Sequence, residues 1–352
     1  MYYKISHCIG LLALALSSTI YAKPIQGIEF SHNDWELVCS NTGTCQAAGY
    51  QEFDGNEPVS LLLVRKAGAK QAVRGQVAIA DFGEEYPANS LKNIRLYIDD
   101  KDQGLINGDF SQKTVLDLSQ PQVDAILKKS RENVSIVLKN QHYHWQVSSD
   151  GMTAVLLKMD DFQKRVGTTG ALVKKGTLDE SKVLVAQPKF VVKHVKTPAK
   201  PIREIKPDQT AYQKMLERLM TATSKDDGDD CSDEYWKDDP RTIQLYRLND
   251  QQQLATMLCW RGAYNEGLGV WLLDNRSGVN QTQLITDQAT EFNSGEIYGS
   301  QRGRGPADCI ASYQWIWDGQ KFVQTLDRWS GKCRGLALGG VWELDRIEAI
   351  VK

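Results

Sequence analysis

The chain has 352 residues, and its 42 Lys and Arg residues nearly balance its 44 Asp and Glu residues, which leaves a formal net charge of −2 at pH 7. This balance argues against a general nucleic-acid-binding protein, whose affinity would depend on an excess of positive charge. The chain is longer than a single hydrophobic core usually serves, so we expect two domains.

The first 22 residues have the pattern of a secretory signal peptide. Lys4 precedes an apolar run from Cys8 to Ile20, and the small residue Ala22 stands directly before "KPIQ". The run is too short for a convincing membrane span, and Cys8 precedes the apolar core, so it is not placed for attachment of a lipid. We therefore predict cleavage after Ala22 and a soluble protein, without a membrane span or lipid anchor, in the periplasm or secreted from the cell.

Residues 23–187 are predicted to form an N-terminal β domain. Runs rich in β-branched and aromatic residues, separated by Gly, Asn and Asp, are typical of the strands of a sandwich or small barrel; they are "VSLLLVRK", "GQVAIADF", "NIRLYID", "VSIVLKN" and "HYHWQVS". Two short helices are predicted in "SQPQVDAILKKSREN" and "MDDFQKRVGTTGALVKKG". The acids that open the second one, Asp160 and Asp161, are placed in its first turn, where the helix dipole favours them.

Residues 188–209 are predicted to form a basic linker between the domains. This stretch holds four prolines and six Lys or Arg residues but only two acids, a composition typical of semi-extended chain.

Residues 210–352 are predicted to form a Trp-rich C-terminal β domain with two disulfides. It opens with a helix in "DQTAYQKMLERLMTAT", which places Tyr212 and Leu219 on one apolar face. An acidic stretch, "KDDGDDCSDEYWKDD", follows at 225–239, where the position of Gly228 does not fit a calcium loop, so we interpret it as a solvated loop attached through Cys231. Seven of the nine tryptophans lie in this domain, at positions 236, 260, 271, 315, 317, 329 and 342.

Six cysteines remain after removal of the signal peptide, and an even number in an exported chain favours disulfides. Cys39 and Cys45 flank the turn-rich "SNTGT" between two alternating runs, so we predict that they pair across a hairpin. The remaining cysteines would then pair locally as Cys231–Cys259 and Cys309–Cys333. Sequence does not determine pairing strictly, and Cys231 with Cys309 stays an alternative. The fold class is therefore mostly β, with two sandwich-like or barrel-like domains, a few short helices and disulfide cross-links.

The chain has few histidines, which limits the kinds of catalytic and metal sites it can form. No histidine follows His194, which excludes a Ser–His–Asp or Cys–His site within the C-terminal domain, and neither G-x-S-x-G nor S-x-x-K occurs. His142 and His144 share one strand face and would begin a zinc site with His32 or a carboxylate. We favour the simpler interpretation, in which they form an outward polar face with Tyr143 and Trp145 turned inward, and we predict no metal or other cofactor.

The candidate binding residues lie in two Gly-rich stretches and one strand. In "CWRGAYNEG", Arg261, Tyr264 and Asn265 would be presented from a turn next to Cys259. In "GSQRGRGPADC", Arg302 and Arg304 would be exposed on a turn anchored by Cys309 and suited to grip a carboxylate or phosphate. Pro306 follows the last glycine, which argues against a phosphate-binding loop that opens into a helix.

Trp315 is the sixth candidate. It lies two positions before Trp317, so the pair shares one strand face that would be either core or a stacking platform.

Several stretches resemble a family of exported bacterial proteins named domain of unknown function 1176. They are "DWELVCSNTGTCQAAGY", "DDFQKRVGTTGALVKKG", "CWRGAYNEGLGVWLL", "GRGPADC" with "WIWDGQKF", and "DRWSGKCRGLALGGVWEL". The N-terminal domain also resembles the invasion-associated locus B family of small secreted β proteins. The resemblance implies an exported protein of this architecture, and it carries no catalytic residues over to this chain.

From the sequence we expect an exported, non-catalytic binding protein of the bacterial envelope, which recognises a protein or glycan partner as an inhibitor or adaptor. A carboxylate-dependent hydrolase of cell-wall polymers is the first alternative, and its acids would be Asp233, Glu234, Glu266 and Asp308. A stress-related structural factor of the envelope is another.

Overall fold

The computed structural model describes residues 24–55, 57–79, 86–87, 90–223, 231, 241–276, 278 and 281–352. The predicted signal peptide and the acidic stretch 225–239, apart from Cys231, lie outside the described residues. Within these ranges most of the regular structure is β, in four sheets with three helices, so the predicted fold class is confirmed.

The N-terminal half consists of two antiparallel sheets and two helices. The first sheet has six strands in the spatial order β1 (Ile28–His32), β2 (Trp35–Cys39), β3 (Cys45–Tyr50), β4 (Val59–Arg65), β5 (Val73–Ile79) and β8 (Val115–Asp117). The second has four strands in the order β10 (His144–Val147), β9 (Ile136–Lys139), β6 (Arg95–Ile98) and β7 (Lys101–Leu105). The helices are α1 (Gln120–Lys128) and α2 (Met152–Phe162).

The first sheet is buried on both faces, which explains the unbroken apolar run in β4. Leu61 and Leu63 point into a core shared with the second sheet and both helices, where Trp145 is also fully buried. Leu62 points to the opposite face and packs against residues from the C-terminal half, including Trp342. A strand covered on both sides reads as a continuous apolar run, because neither face needs polar residues for water.

The predicted position of Asp160 and Asp161 is wrong. Helix α2 begins at Met152 and ends at Phe162, so both acids lie in its last turns and the stretch 163–176 continues as turns. The reason is tertiary. The Asp160 side chain is fully buried and its Oδ2 atom accepts hydrogen bonds from the backbone N–H groups of Leu172 and Val173, which folds the following loop back onto the helix.

The C-terminal half consists of two further sheets and one helix. A five-stranded sheet has the order β12 (Arg203–Ile205), β13 (Ile243–Arg247), β14 (Gln252–Arg261), β15 (Glu266–Asp274) and β16 (Gln281–Ala289). A six-stranded sheet has the order β11 (Phe190–Val192), β21 (Leu344–Val351), β20 (Phe322–Trp329), β19 (Ile310–Trp317), β18 (Glu296–Arg302) and β17 (Glu291–Asn293). Helix α3 (Ala211–Thr221) packs on the five-stranded sheet. The stretch predicted as a linker thus contributes β11 and β12, one edge strand to each sheet.

The two halves also share a hydrophobic core of their own. The segment 329–344 lies on the outer face of the first sheet, where Trp342 and Leu336 pack against Val38 and Leu62. The indole N–H of Trp342 donates a hydrogen bond to the buried hydroxyl of Ser60 at 2.8 Å. This contact joins residues from opposite ends of the chain.

Three disulfides are present, Cys39–Cys45, Cys231–Cys259 and Cys309–Cys333, as the spacing predicts. The first joins directly opposed residues of the β2–β3 hairpin. Disulfides persist in oxidising compartments, so the cross-links indicate a location outside the cytoplasm. In the part of the chain that the structure describes, no helix is long and apolar enough to cross a membrane.

Candidate functional site

Three loops meet at one end of the C-terminal half. Asn265, in the turn between β14 and β15, holds the end of β18 by two hydrogen bonds: its amide donates to the carbonyl oxygen of Arg302 at 2.8 Å and accepts from the Arg302 N–H at 2.9 Å. The Gly339 N–H donates to the carbonyl oxygen of Ala307 at 2.8 Å. We name the surface formed by the turn 261–266, the loop 302–308, the segment 333–339 and Phe53 the loop-end surface.

The Cys309–Cys333 disulfide forms the base of this surface. Gly303 crosses directly over it, because a Cβ atom at this position would lie only 2.6 Å from the Cys309 Sγ atom and 2.8 Å from the Cys333 Sγ atom. A larger residue would push the loop away from the disulfide. The glycine between Arg302 and Arg304 is therefore required for packing, and the loop is cross-linked rather than free.

Asp308 organises two of the loops from below. Its buried carboxylate accepts hydrogen bonds from the Arg304 guanidinium, with Nε at 2.7 Å, and from the Gly335 N–H at 2.7 Å. Burial acts to raise the pKa of Asp308, but these hydrogen bonds outweigh it and hold the pKa below its ordinary value. Asp308 is thus an ionised structural carboxylate, and the charge of Arg304 is partly neutralised by it.

Replacing Asp308 with Asn should lower the free energy of unfolding by about 2–3 kcal/mol, because the amide loses charge-assisted hydrogen bonds in a buried site. The contribution of Asp308 is present above its ordinary pKa of 3.8 and is lost as the pH falls through the lower folded-state pKa. The difference between wild type and variant in urea unfolding should therefore be full at pH 7 and shrink in strong acid. Asp250→Asn, at an exposed ion pair with Arg247, is the control and should change stability little. Equal effects of the two changes would contradict this role.

Arg261 and Glu266 form an exposed pair across the neighbouring turn. The Arg261 Nε and Nη2 atoms donate to Glu266 Oε2 at 3.0 and 2.8 Å. Glu266, one of the acids suspected for hydrolysis, is thus already paired with a cation. Asp233 and Glu234, the other suspected acids, lie outside the described residues.

Large apolar side chains are exposed on the loop-end surface. Phe53 is 80% exposed, Leu338 is 75% exposed and Tyr264 is 46% exposed. The Tyr264 ring lies beside Gly305, within 3.8 Å of where a Cβ atom of that glycine would be. Arg302 is also exposed, and its guanidinium has no ion-pair partner among the described residues.

Arg334 connects this surface to the N-terminal half. Its side chain is only 8% exposed, and Nη2 donates to Asp34 Oδ1 at 2.7 Å. The exposed ring of Phe53 covers the guanidinium, with 5.0 Å between the ring centroid and Cζ. Within the described residues the buried Nη1 atom has no hydrogen-bond acceptor.

The structure brings together five of the six candidate residues from the sequence and separates the sixth. Trp315 lies on β19 opposite Ile297, half-buried against the core around the fully buried Trp317. The sequence reasoning missed Phe53, Leu338 and Arg334. The signals for the two apolar residues were weak, a lone aromatic in the turn "EFDGNEP" and a leucine in the Gly-rich "GLALGG".

The side chains of strand β10 and of the residue before it have the predicted orientation. On β10, His144 is exposed and Trp145 is fully buried, while Tyr143 is partly buried against the core. In the described part of the chain, Asp308, Cys309 and Cys333 form the one cluster with metal-ligand spacing, but the two cysteines are joined in a disulfide and offer no thiolate.

Comparison with known proteins supports a single family assignment. The family described as "Protein of unknown function (DUF1176)" matches residues 29–347. A relative described as "Uncharacterized protein YpfG", from Escherichia coli (strain K12), is 26% identical over 353 residues, which cover 91% of this chain and 94% of the relative. No solved structure matches the chain. Because the family match spans both halves and the loop-end surface between them, the chain belongs to the DUF1176 family.

Proposed function

We propose that this protein is an exported, non-catalytic binding protein of the bacterial envelope, and that the loop-end surface contacts a protein partner. One observation carries the proposal: Phe53, Tyr264 and Leu338 are exposed on the loop-end surface, where the Cys309–Cys333 disulfide and the Asn265 amide anchor the loop that carries Arg302. Exposed apolar side chains grouped on one surface are typical of interaction sites. Tyr and Arg are also enriched among the residues that dominate binding energy.

The anchoring of the loops supports binding further. Asn265 and the Cys309–Cys333 disulfide join the loop 302–308 to the turn 261–266 and to the segment 333–339 without any partner present. A preorganised surface loses less conformational entropy on association, so more of the contact energy appears as affinity.

Charge indicates the chemistry of the partner. Arg302 offers a guanidinium that no acid of the described chain neutralises, and Arg304 lies two residues away with its charge shared by Asp308. A guanidinium binds carboxylates with paired hydrogen bonds. We therefore expect the partner to present an acidic group next to an apolar patch.

Hydrolysis of wall polymers has less support. A general acid in glycoside cleavage requires a raised pKa, whereas the Arg304 and Gly335 contacts lower the pKa of Asp308. Glu266 is paired with Arg261.

The test is quantitative capture of partners from an envelope extract by the purified, tagged protein. The variant Arg302→Glu/Leu338→Asp should recover at least about tenfold less of the partner than wild type, because each change removes one anchor residue. The control is Arg74→Glu/Val185→Asp, which makes the same charge changes at two other exposed residues, with Val185 74% exposed.

The expected result is one protein recovered near equal stoichiometry by wild type and control, but not by the loop-end variant. Equal recovery by all three forms would overturn the proposed site. Saturable binding to purified peptidoglycan would favour a glycan partner instead. Release of soluble fragments from it, abolished by Glu266→Gln, would favour the hydrolase.

A further inference from the structure

A cavity of about 630 Å³ lies beside α3 in the C-terminal half, built from elements outside the loop-end surface. Its walls come from α3, from Arg203 and Ile205 on β12, and from Thr282 on β16. Strands β12 and β16 are the two opposite edges of the same five-stranded sheet. The sheet therefore curls so that both edges approach the helix, and the helix fills the space between them incompletely. The volume is within the range of small-molecule sites.

The floor of the cavity is apolar because α3 is amphipathic and the flank of its apolar face borders the cavity. Tyr212 and Leu219 are buried in the core beneath the helix. Met215 and Ala222 lie on the flank of that apolar face, and they line the cavity together with Ile205. The cavity is open to solvent, and an apolar body that lies against these side chains would bury the area it shares with them, which favours binding in proportion to that area.

The rim of the cavity is cationic. Among the described residues, its lining holds three cations, Arg203, Lys214 and Arg218, and one acid, Glu217. Arg218 is oriented rather than free, because its Nε atom donates to the Thr282 hydroxyl at 2.7 Å and its Nη2 atom donates to the carbonyl oxygen of Gln281 at 3.2 Å. Partial burial lowers the pKa of Arg218. A poorly hydrated guanidinium held in one orientation is a favourable partner for an anionic head group.

We propose that this cavity binds a small amphiphilic monocarboxylate, whose head group pairs with Arg218, Arg203 and Lys214 and whose apolar body lies against Ile205, Met215 and Ala222. The excess of cations over acids among the described lining residues favours a negative head group, and the apolar floor favours an apolar body. This site is independent of the protein partner proposed above. A failure of either proposal leaves the other intact.

The test uses dodecanoate as the probe, below its micelle concentration, in titration calorimetry on the full mature chain. Dodecyltrimethylammonium and dodecyl maltoside have the same apolar tail with a cationic or a neutral head group. The expected result is saturable binding of one dodecanoate per chain, at least about tenfold tighter than either of the other two, since a charged hydrogen bond is lost with them.

The variant Arg203→Gln/Lys214→Gln should weaken dodecanoate binding at least about tenfold. The control Arg247→Gln/Lys321→Gln removes the same two residue types from exposed positions elsewhere in this half, and should bind like wild type. Lys214→Gln alone, at an exposed helix position, gives a second measurement if the double variant is unstable. Amide hydrogen exchange in α3 should slow when dodecanoate binds. Phe53→Ser should leave the affinity for dodecanoate unchanged, which distinguishes this site from the loop-end surface.

Equal affinity for the three head groups would overturn the assignment of an anion. Equal affinity of the double variant and wild type, or the absence of saturable binding of dodecanoate, would overturn the site.

Discussion

Replacing Arg165 with Met should lower the free energy of unfolding by about 3–5 kcal/mol, a larger loss than we expect from any of the other substitutions. The Arg165 side chain is fully buried in the N-terminal half, on the loop after α2. Its Nη1 atom pairs with Glu180, its Nη2 atom donates to the carbonyl oxygen of Gly68 at 2.6 Å, and its Nε atom donates to Gln163 Oε1 at 3.0 Å. The variant would remove the direct ion-pair partner of Glu180, 11% exposed, and leave Arg65 Nη2 at 3.9 Å from its carboxylate.

The effect should be large because a second buried arginine depends on the same acids. Arg65 Nη1 donates to the carbonyl oxygen of Gly170 at 2.8 Å and lies 3.7 Å from Asp160 Oδ1. Burial, together with the nearby charge of Arg165, lowers the pKa of Arg65 to about 10. Two cations and two acids thus hold the loop against the first sheet. Removal of one cation leaves two acids with a single buried cation.

Urea unfolding at pH 7 measures the loss. Lys158→Met is the matched control, because Lys158 lies on α2 and forms an exposed pair with Asp161, so its removal should change stability by no more than about 0.5 kcal/mol. The double variant Arg165→Met/Glu180→Gln should recover part of the loss, since the carboxylate that has lost its direct partner is then absent. A loss of stability for Arg165→Met as small as that of the control would contradict the role given to this network.

Replacing Glu36 with Gln should lower the free energy of unfolding by about 2–3 kcal/mol, because Glu36 joins the two halves of the molecule. Its buried carboxylate accepts hydrogen bonds from the Tyr50 hydroxyl at 2.5 Å, from the Lys332 N–H at 2.8 Å and from the Trp329 indole N–H at 3.1 Å. A glutamine has one acceptor oxygen, so its NH₂ group would face a donor.

The pH dependence of this variant has a definite sign. Burial raises the pKa of Glu36 above its ordinary value of 4.5, despite the hydrogen bonds that act against it. The folded protein therefore binds this proton more tightly than the unfolded chain does. The stability that results is fully present below pH 4.5 and is lost as the pH rises through the folded-state pKa.

Unfolding measured from pH 4 to pH 8 should show the advantage of wild type over Glu36→Gln at its largest in acid, and a smaller, constant advantage at neutral pH. Glu29→Gln on β1, where the carboxylate is 53% exposed, is the control and should show little such slope. An advantage that grows with rising pH would contradict the assigned direction.

Local features of this protein could be predicted from its sequence. The β2–β3 hairpin and its disulfide follow from cysteines that flank a short turn, and α1 follows from a Ser–Gln–Pro start, where Gln122 Oε1 accepts from the Ser119 N–H at 2.9 Å. These features depend on residues close in sequence, whose preferences for turns, strands and helix starts are physical properties of short segments. The orientation of Trp145 likewise follows from the alternation of a single strand.

Only the tertiary structure determines what lies in contact across the chain. Asp160 looks like a first-turn acid in the sequence, but its buried contacts with Leu172 and Val173 determine its position. The loop-end surface combines Phe53 with Arg334, which are separated by most of the chain, and the cavity combines the two edges of one sheet. Such contacts form because apolar faces of distant segments are buried together. The sequence of one segment shows that it has an apolar face, but it does not identify the segment that will cover that face.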